Sequence, residues 1–246
     1  MIENYKEAFE KTRSAGIIAA GALDEVAKIA RPGTRTEQID NLCYEYLNDH
    51  GAFSAPLFYR GFPKSCCTSA NHVVCHGIPS SKILKDGDII NVDVTAFKDG
   101  WHGDTSRTFE IGEVSIKAKK LVRTTYEAMM KSIKIIKDGI HLGDIGSVIQ
   151  NYVEAEGFSV VRDFCGHGIG QRFHEKPNIL HYGKPGAGEK IKSGMIFTIE
   201  PMINTGNFET KTLNDGWTAV TKDKSLSAQF EHTIGVTKDG CEVFTL

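Results

Sequence analysis

The sequence predicts an α/β protein, of the α+β kind, built from two similar halves. Segments with helical periodicity alternate along the 246 residues with segments rich in Val, Ile, Thr and Phe. A β-hairpin is indicated between residues 88 and 108, and patterns of helix and strand recur at an offset of 106 or 107 residues. We therefore expect one domain, residues 1–246, with an internal duplication and approximate halves 1–110 and 111–246.

The first half should begin with two helices. The first is predicted from Glu3 to Ala30 and is ended by Pro32-Gly33. Thr34 and Glu37 form a capping-box pattern at the start of the second, whose apolar residues recur at intervals of three and four residues until Gly51. The following residues, 52–78, carry short apolar runs between Pro and Gly residues, which favours strands and loops.

The hairpin is the central element because it carries two acids, Asp93 and Asp104. A turn centred on residues 98 and 99 would place Asp93 directly opposite Asp104, whereas a turn centred on residues 99 and 100 would place Asp104 opposite Thr95. In both registers the two carboxylates share one face of the sheet. Two like charges in that position are destabilising unless a cation or a proton lies between them.

The second half repeats this order. Helices are predicted from about Ser115 to Lys137 and from about Leu142 to Gly157, and strands and Gly-rich turns follow. The pattern Lys85-x-Gly87-x-Ile89-x-x-Val92-Asp93 recurs as Lys192-x-Gly194-x-Ile196-x-x-Ile199-Glu200, so an acid ends both runs. His76-Gly77-Ile78 recurs as His167-Gly168-Ile169, and Asp104 has a looser counterpart in Glu231. Each half therefore brings a histidine and two acids toward a pseudo-twofold axis.

Four carboxylates brought together inside a protein need neutralising charge. Asp93, Asp104, Glu200 and Glu231 carry four negative charges, which two divalent cations would balance. Carboxylate oxygens with one imidazole suit Mn, Fe, Co or Zn. Two such ions can hold a bridging water and polarise a carbonyl, which indicates a hydrolase.

Composition excludes several other classes of function. The net charge of −2 comes with interspersed acids and bases, so neither nucleic acid nor an anionic membrane is an expected partner. No segment resembles a signal peptide or a membrane span, and the six cysteines match no C-x-x-C zinc pattern. We expect a cytoplasmic protein.

Several long motifs resemble the type I methionine aminopeptidase family over nearly the whole chain. They are Gly61-Phe62-Pro63-Lys64-Ser65, Asn71-His72-Val73-Val74-Cys75-His76-Gly77-Ile78-Pro79, Asp99-Gly100-Trp101-His102-Gly103-Asp104-Thr105-Ser106, Cys165-Gly166-His167-Gly168-Ile169-Gly170, Phe197-Thr198-Ile199-Glu200-Pro201-Met202 and Ser225-Leu226-Ser227-Ala228-Gln229-Phe230-Glu231-His232-Thr233. The resemblance implies the pita-bread fold, in which antiparallel sheet and covering helices from two pseudo-twofold-related halves surround a dinuclear metal site. It also implies removal of the initiator methionine from nascent chains whose second residue is small.

The resemblance also implies roles for individual residues. The implied ligands of two divalent ions (Co, Mn, Fe or Zn) are Asp93, Asp104, His167, Glu200 and Glu231. Glu200 resembles the general base, and His174 resembles the histidine that stabilises the oxyanion. His76 resembles a histidine near the substrate amine and the scissile amide. No catalytic role is predicted for five further histidines, His72, His102, His141, His181 and His232.

The remaining implications concern specificity and partners. By resemblance, the methionine pocket is formed by Tyr59, Phe62, Cys67, Phe173 and Trp217, and carbonyls of Asn71, Val73 and Ser227 hold a monovalent cation. The family often has Cys where this chain has Pro56 and Tyr where it has Phe62. The expected partners are the N-termini of nascent polypeptides, with a transient ribosome contact, and the chain is expected to be a monomer.

Three alternatives remain at this stage. Prolidase and aminopeptidase P share the fold and the ligand set but normally carry an additional N-terminal domain. A non-enzymatic relative that binds partners would lack one or more ligands, whereas all five positions are intact here. An iron oxygenase using His102 and Asp104 would need a jelly-roll fold, which the predicted long helices oppose.

Overall fold

A computed structural model describes residues 5–246, which form a mixed α/β structure. The helices are α1 Lys6–Ile29, α2 Thr36–Asp49, α3 Ile116–Ile133 and α4 Leu142–Ala155, with one 3₁₀ turn at Tyr59–Gly61. The strands are β1 Phe53–Ser54, β2 Cys67–Ala70, β3 Val73–Cys75, β4 Ile89–Lys98, β5 Trp101–Glu110, β6 Ser159–Val160, β7 Gly166–Gly168, β8 Glu175–Ile179, β9 Ile196–Ile199, β10 Met202–Asn204, β11 Thr210–Thr212, β12 Ala219–Thr221, β13 Ser227–Gln229, β14 Glu231–Val236 and β15 Cys241–Val243. Among these residues no helix combines the length and apolar character that a membrane crossing requires.

The main sheet has nine antiparallel strands and runs through both halves of the chain. Its order is β1-β4-β5-β14-β9-β7-β8, with β15 also paired to β14 and β2 to β4. Two three-stranded sheets, β13-β10-β6 and β11-β12-β3, complete the structure. The antiparallel sheet and covering helices confirm the predicted fold class, whereas the division of the chain near residue 110 stays a prediction.

One face of the main sheet is covered by helices and the other carries the acids. On β4, Val92 and Val94 are fully buried in a core formed with α1 and α2, while Asp93 lies on the opposite face. On β9, Phe197 and Ile199 pack into the core of the second half, which leaves Thr198 on the other face. Strand alternation therefore directs the polar chemistry away from both cores.

Close approach of α1 to β5 depends on Gly103. A Cβ added at Gly103 would lie 2.3 Å from the backbone nitrogen of Gly16, which is far inside van der Waals contact. The absence of a side chain at Gly103 lets α1 lie directly on the strand that carries Asp104.

The central hairpin adopts the second of the two predicted registers. Asp99 and Gly100 occupy the turn with φ of 49° and 84°, which is the left-handed backbone of a type I′ turn. Asp104 consequently pairs with Thr95, and the alternative turn at residues 98 and 99 is wrong. Asp93 shares the face of Thr95, so the prediction that both acids share a face is confirmed.

Several predicted helix ends need correction. The start of α2 is capped by the Gln38 side chain, which accepts from the Arg35 amide, rather than by Thr34 and Glu37, because the Thr34 hydroxyl donates instead to the Ile29 carbonyl at 2.6 Å. Helix α3 ends at Ile133, before the predicted Lys137, because the backbone tightens into i→i+3 turns there. Helix α1 ends at Ile29, and the predicted start at Glu3 lies outside the described residues.

Corresponding hydrogen bonds recur in the two halves. The Gly33 amide donates to the Leu84 carbonyl at 2.8 Å, and the Gly139 amide donates to the Ile191 carbonyl at 2.9 Å. Likewise, the amide of Arg35 donates to the Gln38 side chain and that of His141 to the Asp144 side chain, both at 2.8 Å. These pairs are separated by the same 106 or 107 residues as the sequence patterns.

Candidate active site

A single cavity of about 360 Å³ brings the predicted site together. It is lined by residues of both halves, including strands β2, β4, β5, β7 and β14. Every residue predicted to be catalytic, to bind a divalent metal or to form the methionine pocket lines it. Its inner part is acidic and its walls are largely aromatic.

The acidic part is held by cross-strand contacts. The Thr95 hydroxyl donates to Asp104 Oδ1 at 2.7 Å across the β4–β5 ladder. Pairing of β5 with β14 then brings Glu231 beside this hairpin. Asp104, His167 and Glu231 each offer a ligand atom, and these three atoms lie within 4.8 Å of one another.

Burial disfavours the ionised form of all four acids. It raises the pKa of Asp93 to about 7 and the pKa of Glu200 to about 8. Burial, followed by repulsion between neighbouring carboxylates, also raises the pKa of Asp104 and of Glu231 well above the usual range. Asp93 is only half-buried by surface area, because it faces the open cavity. A cluster of this kind can be fully ionised only when positive charge compensates it.

His167 provides the matching nitrogen ligand. Burial lowers its pKa to about 4, so the imidazole is neutral at pH 7. Nδ1–H donates to the Gly168 carbonyl at 3.0 Å, which leaves the lone pair on Nε2. That atom lies 3.8 Å from Asp104 Oδ2 and 3.7 Å from Glu200 Oε1, too far for a hydrogen bond. Three acceptors facing one another at these distances fit a shared divalent cation.

Glu200 is held from three sides. The Thr198 hydroxyl donates to its Oε1 at 2.8 Å, and the Gln229 amide donates to its Oε2 at 3.3 Å. Its backbone amide donates to Nε2 of His181 at 3.1 Å. The sequence offers no signal for this contact, and no role was predicted for His181. The fully buried ring is neutral because desolvation lowers the pKa of His181 to about 3.

The two predicted catalytic histidines lie at the wall of the cavity. His76 has a left-handed backbone with φ of 56° and packs edge-on against Phe164 and Trp217. His174 is hydrogen-bonded through Nδ1 to the Tyr59 hydroxyl at 3.1 Å. Partial desolvation, and then the neighbouring His167, lowers the pKa of His174 to about 3, although part of the residue's surface is exposed. Both rings are therefore neutral at pH 7, because desolvation also lowers the pKa of His76.

The predicted pocket residues form an apolar slot beside the acids. Tyr59 packs on Phe173 with ring centroids 4.9 Å apart, and Phe62 meets Trp217 edge-on at 5.2 Å. Cys67 is buried opposite Asp93 in the β2–β4 ladder. The slot is thus bounded by aromatic faces and a thiol, which are good partners for a thioether.

Pro56, noted above as a departure from the family, also lines the cavity. Further lining residues have no predicted role: Arg60, Thr95, Asp163, Phe164, Cys165 and Met202. Thr95 could have been found from strand alternation, since it lies two residues after Asp93. Arg60 and Asp163 have no comparable signal in the sequence, because the positions of their loops depend on long-range packing.

The positions predicted to hold a monovalent cation are close together. The Ser227 amide donates to the Asn71 carbonyl at 2.8 Å, and Val73 lies in the adjacent strand β3. The Ser227 hydroxyl is buried without a hydrogen-bond partner among the described residues. This grouping leaves an unused buried oxygen close to the predicted carbonyls.

Comparison with known proteins gives a consistent result. Residues 10–238 match the model of metallopeptidase family M24. The chain is 57% identical over 239 residues to a protein of Rickettsia prowazekii named methionine aminopeptidase, covering 97% of this chain and 92% of that one. The crystal structure of a methionine aminopeptidase from R. prowazekii superposes with a TM-score of 0.97 at 57% identity, covering 98% of both chains.

The same fold occurs in a second group of peptidases. A prolidase from Pyrococcus furiosus superposes with a TM-score of 0.78 at 22% identity, which shows a shared fold alone. This chain covers only 64% of the length of that prolidase. The matches that cover nearly the whole of both chains are thus to methionine aminopeptidases. The chain belongs to metallopeptidase family M24, within its methionine aminopeptidases.

Proposed function

We propose that this protein is a metal-dependent aminopeptidase that removes an N-terminal methionine when the second residue of the chain is small. The observation that carries the proposal is the cavity, in which a buried cluster of four acids and an imidazole adjoins an apolar slot. The cluster fits cations that activate water, and the slot fits an unbranched thioether. The 57% identity to a named methionine aminopeptidase supports the same substrate.

The proposed metal ligands are Asp93, Asp104, His167, Glu200 and Glu231, holding two divalent ions from among Co, Mn, Fe and Zn. Divalent cations at this position supply the charge that activates a water molecule and polarises a carbonyl oxygen. The buried, unpartnered Ser227 hydroxyl supports a monovalent cation near Asn71 and Val73 as well.

Glu200 is the proposed general base. Donors to both of its carboxylate oxygens fix the orientation of this side chain, so it can accept the proton of an attacking water without reorganising. It can then return that proton to the departing amine. His181, which accepts a hydrogen bond from the Glu200 amide, positions this residue.

His174 is the proposed oxyanion donor. When the Tyr59 hydroxyl donates to Nδ1, the ring proton stands on Nε2 and can be donated to the scissile carbonyl. A low pKa suits this role, because a neutral ring donates one hydrogen bond without placing a further positive charge in the site. His76, held between Phe164 and Trp217, is placed to contact the substrate amine and the scissile amide.

The proposed physiological substrates are the N-termini of nascent polypeptides. The protein would act on them as a monomer, during a transient contact with the ribosome. The slot behind Tyr59 and Trp217 would receive the methionine side chain, while the second residue would lie beside His174.

The test is release of free methionine from Met-Ala-Ser and Met-Leu-Ser, with Mn, Co, Fe or Zn added to metal-free protein under anaerobic conditions. We expect metal-dependent release from the first peptide, and from the second at a rate at least tenfold lower. Cleavage of an Ala-Pro peptide in place of Met-Ala-Ser would instead indicate the proline-specific enzymes. Folded protein that releases nothing with any of these metals would favour the non-enzymatic relative.

A further inference from the structure

The mouth of the cavity is marked by three exposed residues. Of the residues that line the cavity, Arg60, Asp163 and His174 are exposed and the others are buried or half-buried. A peptide whose first residue lies in the slot must leave past these side chains. The mouth therefore contacts the part of the substrate that follows the scissile bond.

Arg60 contributes an uncommitted positive charge to this mouth. Within residues 5–246 its guanidinium makes no ion pair and no side-chain hydrogen bond, and it lies 5.3 Å from the centre of the Tyr59 ring. The planar group is thus steadied by an aromatic face while its N–H donors stay available.

The backbone of Arg60 is held in an unfavourable conformation. Its φ of 48° is left-handed, which non-glycine residues rarely adopt. Hydrogen bonds on both sides fix the turn: the Gly61 amide donates to the Phe58 carbonyl at 3.2 Å, and the Phe62 amide donates to the Tyr59 carbonyl at 2.9 Å. Such conformations persist where the surroundings enforce them, often at ligand-binding sites.

Arg60 also lies beside the group assigned to the scissile carbonyl. Its neighbour Tyr59 is hydrogen-bonded to His174 at 3.1 Å and stacks on that ring with centroids 5.2 Å apart. The other charged residue of the mouth is Asp163, whose Oδ2 accepts a hydrogen bond from the Thr210 hydroxyl of strand β11 at 2.6 Å.

We propose that Arg60 determines substrate specificity by recognising a carboxylate just beyond the second residue of the substrate. This inference rests on the proposed function. The carboxylate has two possible sources: an acidic side chain at the third residue, or the terminal carboxylate of a tripeptide. Both offer the planar pair of oxygens that a guanidinium binds through two hydrogen bonds.

The test compares kcat/KM for the C-terminal amides Met-Ala-Glu-Ala, Met-Ala-Gln-Ala and Met-Ala-Lys-Ala. We expect the wild-type protein to favour the Glu peptide over the Lys peptide by about fivefold or more, as for an exposed ion pair with its matching repulsion. Arg60→Gln should bring this ratio within about twofold of one, and Arg60→Gly, which suits a left-handed backbone, should do the same. Raising the NaCl concentration to 0.5 M should shrink the wild-type ratio through screening.

Matched controls separate a local contact from a general charge effect. Arg123→Gln removes the same charge from the exposed face of α3 and should leave the ratio as in the wild type. Met-Ala-Gly with a free carboxylate, compared with its amide, tests the second source. If kcat/KM is lower for the amide than for the free carboxylate in the wild type, but not in Arg60→Gln, the contact is with the terminal carboxylate.

The inference would be overturned if the ratio of kcat/KM for the Glu peptide to that for the Lys peptide were the same in the wild type and Arg60→Gln. It would also be overturned if Arg123→Gln changed this ratio as much as Arg60→Gln does. Turnover of the Gln peptide by wild-type protein shows whether the proposed function holds. Absence of that turnover would contradict both claims, whereas turnover without any effect of charge would contradict only the role of Arg60.

Discussion

At the scale of single residues, environment sets the chemistry of each side chain. His167, which is buried, and His174, which is exposed at the mouth of the cavity, both have a strongly lowered pKa, yet their hydrogen bonds differ. His167 donates from Nδ1 to a backbone carbonyl, which turns a lone pair toward the acids. His174 meets the Tyr59 hydroxyl, which leaves its other nitrogen free for a substrate. One residue type thus serves as a ligand in one position and as a donor in the other.

Removing the proposed oxyanion donor tests this assignment. His174→Ala should lower kcat for Met-Ala-Ser by roughly a hundredfold or more, because the developing oxyanion loses a preorganised donor. Steady-state kinetics on metal-loaded protein would measure it. His50→Ala, which changes an exposed histidine outside the cavity, should leave kcat unchanged. An unaltered kcat in His174→Ala would show that the role is wrongly assigned.

Most site residues could be predicted from the sequence, because the motifs that surround them are local. Asp93 ends a strand pattern that recurs at Glu200, and the hairpin fixes Asp104 relative to Asp93. His181 and Arg60 could not be found in this way. Their roles depend on contacts with Glu200 and Tyr59 whose geometry is set by tertiary packing.

At the scale of elements, helices α2 and α4 are both capped at their N-termini by a side chain, but the capping residues differ. Helix α2 is capped by a neutral amide, since Gln38 accepts from the Arg35 backbone. Helix α4 is capped at the corresponding position by a carboxylate, since Asp144 accepts from the His141 backbone and also from the Gly186 amide at 2.7 Å. These hydrogen bonds from His141 and Gly186 lower the pKa of Asp144.

This difference predicts a difference in pH dependence. Asp144→Ala should lower the free energy of unfolding by about 1 kcal/mol at pH 7, as for loss of a helix cap. Because the pKa of Asp144 is lower in the folded state, its contribution is complete above the unfolded pKa, near 4, and is lost as the pH falls through the folded value. Gln38→Ala should cost a similar amount independently of pH.

Urea unfolding of both variants and the wild type between pH 7 and pH 3 would measure this. The loss of unfolding free energy in Asp144→Ala, relative to the wild type, should shrink as the pH falls toward 3. The loss in Gln38→Ala should stay constant. If the loss of unfolding free energy in Asp144→Ala does not change with pH, an ionised Asp144 does not cap α4.

Helix positions followed from periodicity, but their ends did not. The pattern Thr34-x-x-Glu37 predicts the cap of α2 one residue too early, because isolated pairing of Arg35 with Ile83 sets where the chain enters α2. The turn of the hairpin was likewise left open between two registers. The type I′ turn at Asp99 and Gly100 decided it, since Gly readily takes a positive φ.

At the scale of the whole molecule, the site exists because strands from the earlier and later parts of the chain share one sheet. Strands β5 and β14 pair through Ser106 with Glu231 and Thr105 with His232, which brings together acids 127 residues apart in the chain. The sequence repeat indicated that the halves are similar. It could not specify which strands join them, because that pairing depends on non-local packing.

The central claim is that the buried acids serve the reaction by holding divalent cations. The most direct measurement is methionine release from Met-Ala-Ser by metal-free protein as Mn²⁺ is titrated in, with Asp104→Ala treated identically and melting temperature followed in parallel. The wild-type protein should be inactive without metal, and should gain activity and melting temperature together as metal binds. Asp104→Ala should stay inactive throughout, because a carboxylate of the central cluster is missing. Full activity of the metal-free protein, or of Asp104→Ala, would contradict the claim.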